Sequence, residues 1–166
     1  LRAKIKFMSD SSFSHLDAQG RSHMVDVGNK EATQRQATAE ARVVFPDEAW
    51  AELMAGGNPK GGVIEPAKIA GIQAAKRTAD LIPMCHPLLI DKIQIDIKAA
   101  ADQTIVIRCT VRVSGKTGVE MEAMTGAAIA ALTVYDMTKA LSKEIRVENV
   151  CLLEKSGGKS GAWVSK

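Results

Sequence analysis

The sequence predicts an α+β chain of ferredoxin-like type: βαββαβ, an antiparallel sheet with its helices on one face. Three observations lead there. Apolar and polar residues alternate with period two at 35–45, 93–97 and 105–113, the signature of half-buried strands. Two longer stretches, 63–81 and 119–142, read as helices. With a last strand at 145–153, the order is strand, helix, strand, strand, helix, strand. The 166 residues fit one domain, long enough to bury a core without a metal or disulfide.

Residues 1–22 are polar and Ser-rich and are expected to be a flexible segment. Met8 reads as the natural start, with 1–7 as an added leader. Residues 23–166 are expected to form a single domain, and a short extended piece is expected at 24–27. In the first strand Ala37, Ala39, Ala41, Val43 and Phe45 share one side, while Thr38, Glu40 and Arg42 share the other. Pro46 ends it, and Asp47 is placed to cap a short helix at 48–54 that stops at Gly56-Gly57. GGNPKGG follows, four glycines and a proline in seven residues, which predicts a loop with little intrinsic structure. The first long helix tolerates Pro66 in its first turn and is closed by Pro83. Two strands then meet across a polar joint at 101–103, a hairpin. The second long helix opens with Thr117 and Glu120 at capping-box spacing.

Composition excludes several function classes. The net charge is +3, with 25% charged and 46% apolar residues. No apolar run approaches the ~20 residues of a membrane helix, and no basic stripe suits nucleic acid, though the balance suits a small anion. Cys85, Cys109 and Cys151 are far apart and odd in number, which reads as reduced thiols in a cytoplasmic protein. No apolar stretch makes the basic 1–7 a signal peptide. No metal-ligand spacing is present.

Five places can carry chemistry. Lys60, central in GGNPKGG, can swing a cation over a ligand; composition alone favours a surface lysine in a linker. In PMCHP, prolines on both sides frame Cys85 and His86, and His86 can contact a phosphate, move a proton or be a structural residue. Asp136 and Lys139 are three apart, on one helix face, and read either as a base beside its charge stabiliser or as a surface ion pair. The small apolar run before them (123–132) says that this helix packs closely against something. Glu120 completes the capping box or binds; Glu122, pointing elsewhere, is the better candidate to grip the amidine-like edge of a guanine or pterin. KSGGKSG, with Lys155 and Lys159, has the composition of an anion nest. It lacks the P-loop glycine, which would fall at Leu153, and alone it reads as a flexible basic tail.

Together these strings resemble one family. HMVDV (23–27), KIAGIQAAKRT (68–78), DLIPMCHPL (80–88), GKTGVEMEAMT (115–125), ALTVYDMTKA (131–140) and LLEKSGGKSG (152–161) are similar, in order, to cyclic pyranopterin monophosphate synthase, the C protein of molybdenum-cofactor biosynthesis. The match runs from about residue 15 to the C-terminus. The resemblance implies a lyase that converts 3′,8-cyclo-7,8-dihydro-GTP, supplied by a radical SAM GTP cyclase, into cyclic pyranopterin monophosphate and pyrophosphate. It implies no cofactor, and a homohexamer built as a trimer of dimers with active sites at the dimer interface.

Carried over residue by residue, Asp136 matches the family's active-site aspartate and Lys60 and Lys139 its essential lysines. Met84, Cys85 and His86 match a substrate-binding segment, as do Met121 and Glu122. Arg35, Glu120 and Lys155 match polar residues in or beside the pocket. Gly62 stands where the family often has an acidic or amide residue, and Met84 where it often has Leu. Proton shuttling then falls to Asp136 and Lys139, Lys60 closes over the substrate, and His86 and Lys155 hold phosphates or pyrophosphate. Two rival readings stand beside this one. RNA-recognition domains share the strand order but stack bases on sheet aromatics, and here aromatics are 4% with Phe45 alone in the expected strands. A non-catalytic nucleotide-binding sensor of the same fold would use the same cationic pocket.

Overall fold

The computed structural model describes residues 19–166. The expected leader and most of the expected flexible segment therefore lie outside the described residues. Five strands and four helices follow in the order β1 (Thr33–Val44), α1 (Asp47–Met54), α2 (Ile64–Lys76), α3 (Thr78–Leu81), β2 (Lys92–Ala100), β3 (Thr104–Gly115), α4 (Glu120–Thr138), β4 (Arg146–Ser156) and β5 (Trp163–Val164). The sheet order is β2-β3-β1-β4-β5, antiparallel at every step. Its first four strands have the ferredoxin-like arrangement, with α4 packed on β1, β3 and β4, and α2 beside it on β2.

Strand periodicity decides which face meets the helices. Ala37, Ala39, Ala41 and Val43 of β1 are fully buried and pair in register with Val111, Cys109, Ile107 and Ile105 of β3. The sheet face beneath α4 is thus narrow in side-chain volume, which lets the helix sit low. The helix answers with Ala123, Gly126, Ala127, Ala130 and Ala131, all buried. Gly71 of α2 crosses α4 at Gly126. A Cβ on Gly71 would meet the Gly126 carbonyl and the Ile95 side chain, and one on Gly126 would meet Cys109 Sγ. The close packing expected for the small-residue run is this crossing.

Four local expectations need correction. Pro46, not Asp47, occupies the N-cap of α1, and Asp47 is its first helical residue. The helix expected over 63–81 is two helices, interrupted at Arg77 (φ −108°, ψ 15°). The buried Thr78 hydroxyl donates to the Ala75 carbonyl at 3.0 Å, in competition with the backbone ladder. The second long helix ends at Thr138 instead of 142, its hydroxyl donating to the Val134 carbonyl. The capping box does not form: Val119 is the N-cap, and the Glu120 carboxylate turns to Lys155.

The C-terminal string is not a flexible tail. KSGGKSG is the turn of a hairpin, in which β5 returns on β4 with Lys155 opposite Trp163. Gly157 (φ +93°) and Gly158 (φ +72°) adopt left-handed backbone there. A Cβ at the first would strike the Gln34 backbone and at the second the Arg35 guanidinium, so only glycine lets this turn lie against β1.

Candidate active site

The structure gathers the predicted residues into two groups at opposite ends of α4. At its C-terminal end, Asp136 Oδ1 accepts from Lys139 Nζ at 2.7 Å and Oδ2 from Lys60 Nζ at 2.9 Å. Lys60 also donates to the Asp136 carbonyl at 2.7 Å. Helical spacing supplies the first contact; the second crosses from the loop between α1 and α2. That loop is not structureless. The Gly61 N–H bonds back to the Asn58 carbonyl at 3.0 Å, with Pro59 second in the turn, and the Asn58 amide donates to the Gly61 carbonyl at 2.7 Å. Lys60 is held in place by a turn.

The two ammonium groups, Lys139 first and then Lys60, push the Asp136 carboxyl down to about 2. Asp136 in return raises the Lys139 pKa. A carboxyl so acidic is a weak base at neutral pH. In this arrangement Asp136 is better suited to orient two ammonium groups than to shuttle protons itself.

At the N-terminal end of α4 two cavities adjoin, each of about 220 Å³, sharing Thr117, Gly118 and Glu120. Five cationic side chains line the first, Lys30, Arg35, Lys116, Lys155 and Lys159, against the single carboxylate of Glu120. Arg35 Nε is anchored on the Gly115 carbonyl at 3.0 Å. Lys155 Nζ meets Glu120 Oε1 at 2.7 Å. Burial raises the Glu120 pKa, but Lys155 and Arg35 outweigh it and hold the group below its ordinary value.

Met84, Cys85, His86, Met121 and Glu122 line the second cavity. A turn from Ile82 to Cys85, with Pro83 in second position, presents the first three. Glu122 is 4% exposed, and burial, aided by neighbouring Glu120, pushes its pKa up. Burial and then Glu122 raise the Cys85 thiol as well, so Cys85 is no ready thiolate. His86 Nε2 lies 2.8 Å from the Val25 carbonyl, so that nitrogen carries the proton and donates. It is therefore engaged with the chain and not directed at a phosphate.

All eleven predicted residues lie in one group or the other. Within one chain the two groups are not one site: Glu120 and Asp136 are sixteen residues apart on α4, about 24 Å at ~1.5 Å per residue. Sequence reasoning missed Lys30 and Lys116 in the cationic cavity, and Lys76, which lines a small recess with His86 and Glu122. Lys116 and Lys76 sit inside the strings quoted above, but only the fold shows that they face the cavities. Among the described residues no three His, Cys, Asp or Glu side chains are grouped to hold a metal ion, and no helix is long and apolar enough to cross a membrane.

The model of the MoaC family matches residues 24–158. The chain belongs to the MoaC family. The match begins at Met24, just ahead of the Val25 carbonyl that His86 contacts, and ends at Gly158, within the turn against Arg35. It covers both ends of α4 and every residue of the two groups and their cavities except Lys159 and Ser160 of the cationic cavity. MoaC proteins are enzymes of molybdenum-cofactor biosynthesis, and this membership gives the chain a role in that pathway.

Proposed function

We propose that this MoaC-family chain is a cyclic pyranopterin monophosphate synthase, a lyase acting on 3′,8-cyclo-7,8-dihydro-GTP downstream of a radical SAM GTP cyclase. The observation that carries this reading is the pair of adjoining cavities. One has five cations for a triphosphate; the other has a buried carboxylate, Glu122, for the donor edge of a guanine-derived ring. A carboxylate in a dry pocket gains most when a ligand supplies the hydrogen bonds that water no longer makes.

Each group then has a task. Arg35, Lys155, Lys116 and Lys159 bind the phosphates. Glu122, with Met84, Cys85, Met121 and His86 around it, orients the ring. Closing the cyclic phosphate forms a bond from a sugar hydroxyl oxygen to the α-phosphorus and breaks the α–β bridge, and pyrophosphate leaves. The positive cavity offsets the charge that builds on the leaving oxygens. Opening the five-membered ring and building the pterin are proton transfers. Lys60 and Lys139 supply or return those protons, oriented by Asp136.

The distance along α4 supports a site shared with a second copy of the chain. No ligand of nucleotide size spans both ends of one helix, so Lys60, Asp136 and Lys139 of one protomer act on substrate held by another. That agrees with the homohexamer, a trimer of dimers with interfacial sites, that the family resemblance implies.

The test is turnover of the cyclo-dihydro-GTP intermediate, following both pyrophosphate and cyclic pyranopterin monophosphate. Both products should form, and both should be lost in Lys60→Ala and in Glu122→Ala. Mixed assemblies of those two inactive variants should regain activity, because some interfaces combine two intact halves. Binding without product would favour the nucleotide sensor, and inactive mixtures would overturn the shared site.

A further inference from the structure

Residues 24–30 contain no helix or strand, yet they follow a defined path from one cavity to the other. The Val25 carbonyl accepts from His86 Nε2 at 2.8 Å, beside the Glu122 cavity. The Gly28 carbonyl accepts from Lys116 Nζ at 2.6 Å, at the cationic cavity. Two local turns stiffen the stretch: the Gly28 N–H donates to Asp26 Oδ1 at 2.7 Å, and the Lys30 N–H to the Val27 carbonyl at 3.1 Å. Lys30 at its end lines the cationic cavity. Only Val25 and Val27 are half-buried; the other five residues are exposed. Apolar burial anchors this segment weakly, and the side chains of His86 and Lys116 fix its course.

We propose that residues 24–30 are a strap across the two cavities, latched by His86 and Lys116, and that Lys116 is a positioning residue coupling the strap to a bound polyphosphate. The latch is read from the contacts alone; the coupling rests on the phosphate reading of the cationic cavity. An ammonium group has three N–H donors. One is on the Gly28 carbonyl, and two remain for an anion in the cavity that Lys116 lines. An anion that orders Lys116 thereby steadies the strap and seats Lys30 over its own charge. By linkage, a seated strap tightens anion binding by the same factor.

The experiment is hydrogen exchange at the Gly28 and Lys30 amides of the intact protein, with and without inorganic triphosphate. It uses wild type, Lys116→Met and Lys116→Arg, with triphosphate affinity measured by calorimetry. Without ligand, Lys116→Met should speed exchange at both amides by about three- to tenfold. In wild type, triphosphate should slow it by a similar factor. Lys116→Met should lose that slowing and bind triphosphate more weakly, while Lys116→Arg, which keeps a charged donor, should restore both. Lys116 contacts the chain through an exposed bond, so the variants should keep the wild-type melting temperature. Equal ligand-free exchange in wild type and Lys116→Met would overturn the latch. Triphosphate that binds wild type without slowing the strap would overturn the coupling alone. Failure of triphosphate to bind wild type at millimolar concentration would overturn the coupling and the phosphate reading together, and ligand-free exchange would still decide the latch.

Discussion

At the N-terminal end of α4 five cations surround one carboxylate, and at the C-terminal end two ammonium groups share one. The difference is in how much charge is already answered. Asp136 is satisfied on both oxygens, and its carboxyl is held at about 2, so that end is organised before any ligand arrives. The cationic cavity keeps an excess of positive charge, which makes it the end that attracts an anion. On the proposed reading, one end holds protons in place and the other collects substrate. Their separation along α4 keeps the ammonium pair about 24 Å from the cationic cavity of the same chain.

Substitutions can break this contrast, and the largest effect should come from the paired end. Lys60→Ala should lower turnover of the cyclo-dihydro-GTP intermediate by about 100- to 10,000-fold, while saturation changes little. Unchanged turnover would reduce the cluster to a surface ion pair. At the other end, Lys155→Ala should act chiefly on binding, raising the half-saturating substrate concentration by about 10- to 100-fold. A drop in kcat alone would erase the division of labour between the ends.

The helix joining the ends gives a third test, on stability. Gly71→Ala places a methyl against the Gly126 carbonyl and should cost roughly 1–3 kcal/mol in urea unfolding. Because both ends ride on α4, turnover and triphosphate binding should weaken together in this variant.

The smallest effect is electrostatic. The Asp136 carboxyl should titrate near 2 by NMR, and Lys139→Ala should move it up toward its ordinary 3.8. The sign follows from the depressed value: the ion pairs are fully present above 3.8 and are lost as pH falls through about 2. The group is exposed, so the titration should show in its chemical shift more than in the unfolding midpoint. A carboxyl near 3.8 in the wild type would mean that the two ammonium groups do not hold it.

Much of the fold was legible because strands with one buried face must alternate. The inward residues of β1 and β3 were readable one by one, and the order β2-β3-β1-β4 then followed from element order. The misreadings have two sources. Glu120 drawn from a cap to Lys155 and the KSGGKSG turn folded onto Arg35 depend on partners distant in sequence, whereas the break before Thr78 is local, its hydroxyl bonding to the Ala75 carbonyl three residues back. Family motifs marked the right residues at both ends of α4. They did not mark Lys30 or Lys116, since a lysine's exposure to a cavity leaves no local pattern.

The sequence by itself determined the βαββαβ order of the main elements, the apolar faces, the family, and which residue types could serve a phosphate or a proton. Periodicity, turn residues and motif spacing are local properties of the chain, and they survive without knowledge of contacts. Tertiary structure decided which charges meet. It put Lys60 on Asp136, Lys155 on Glu120, and His86 on a backbone carbonyl, and it divided one list of residues between two ends of a helix. Coulomb and hydrogen-bond energies depend on distance in space, and the chain's linear order does not specify it.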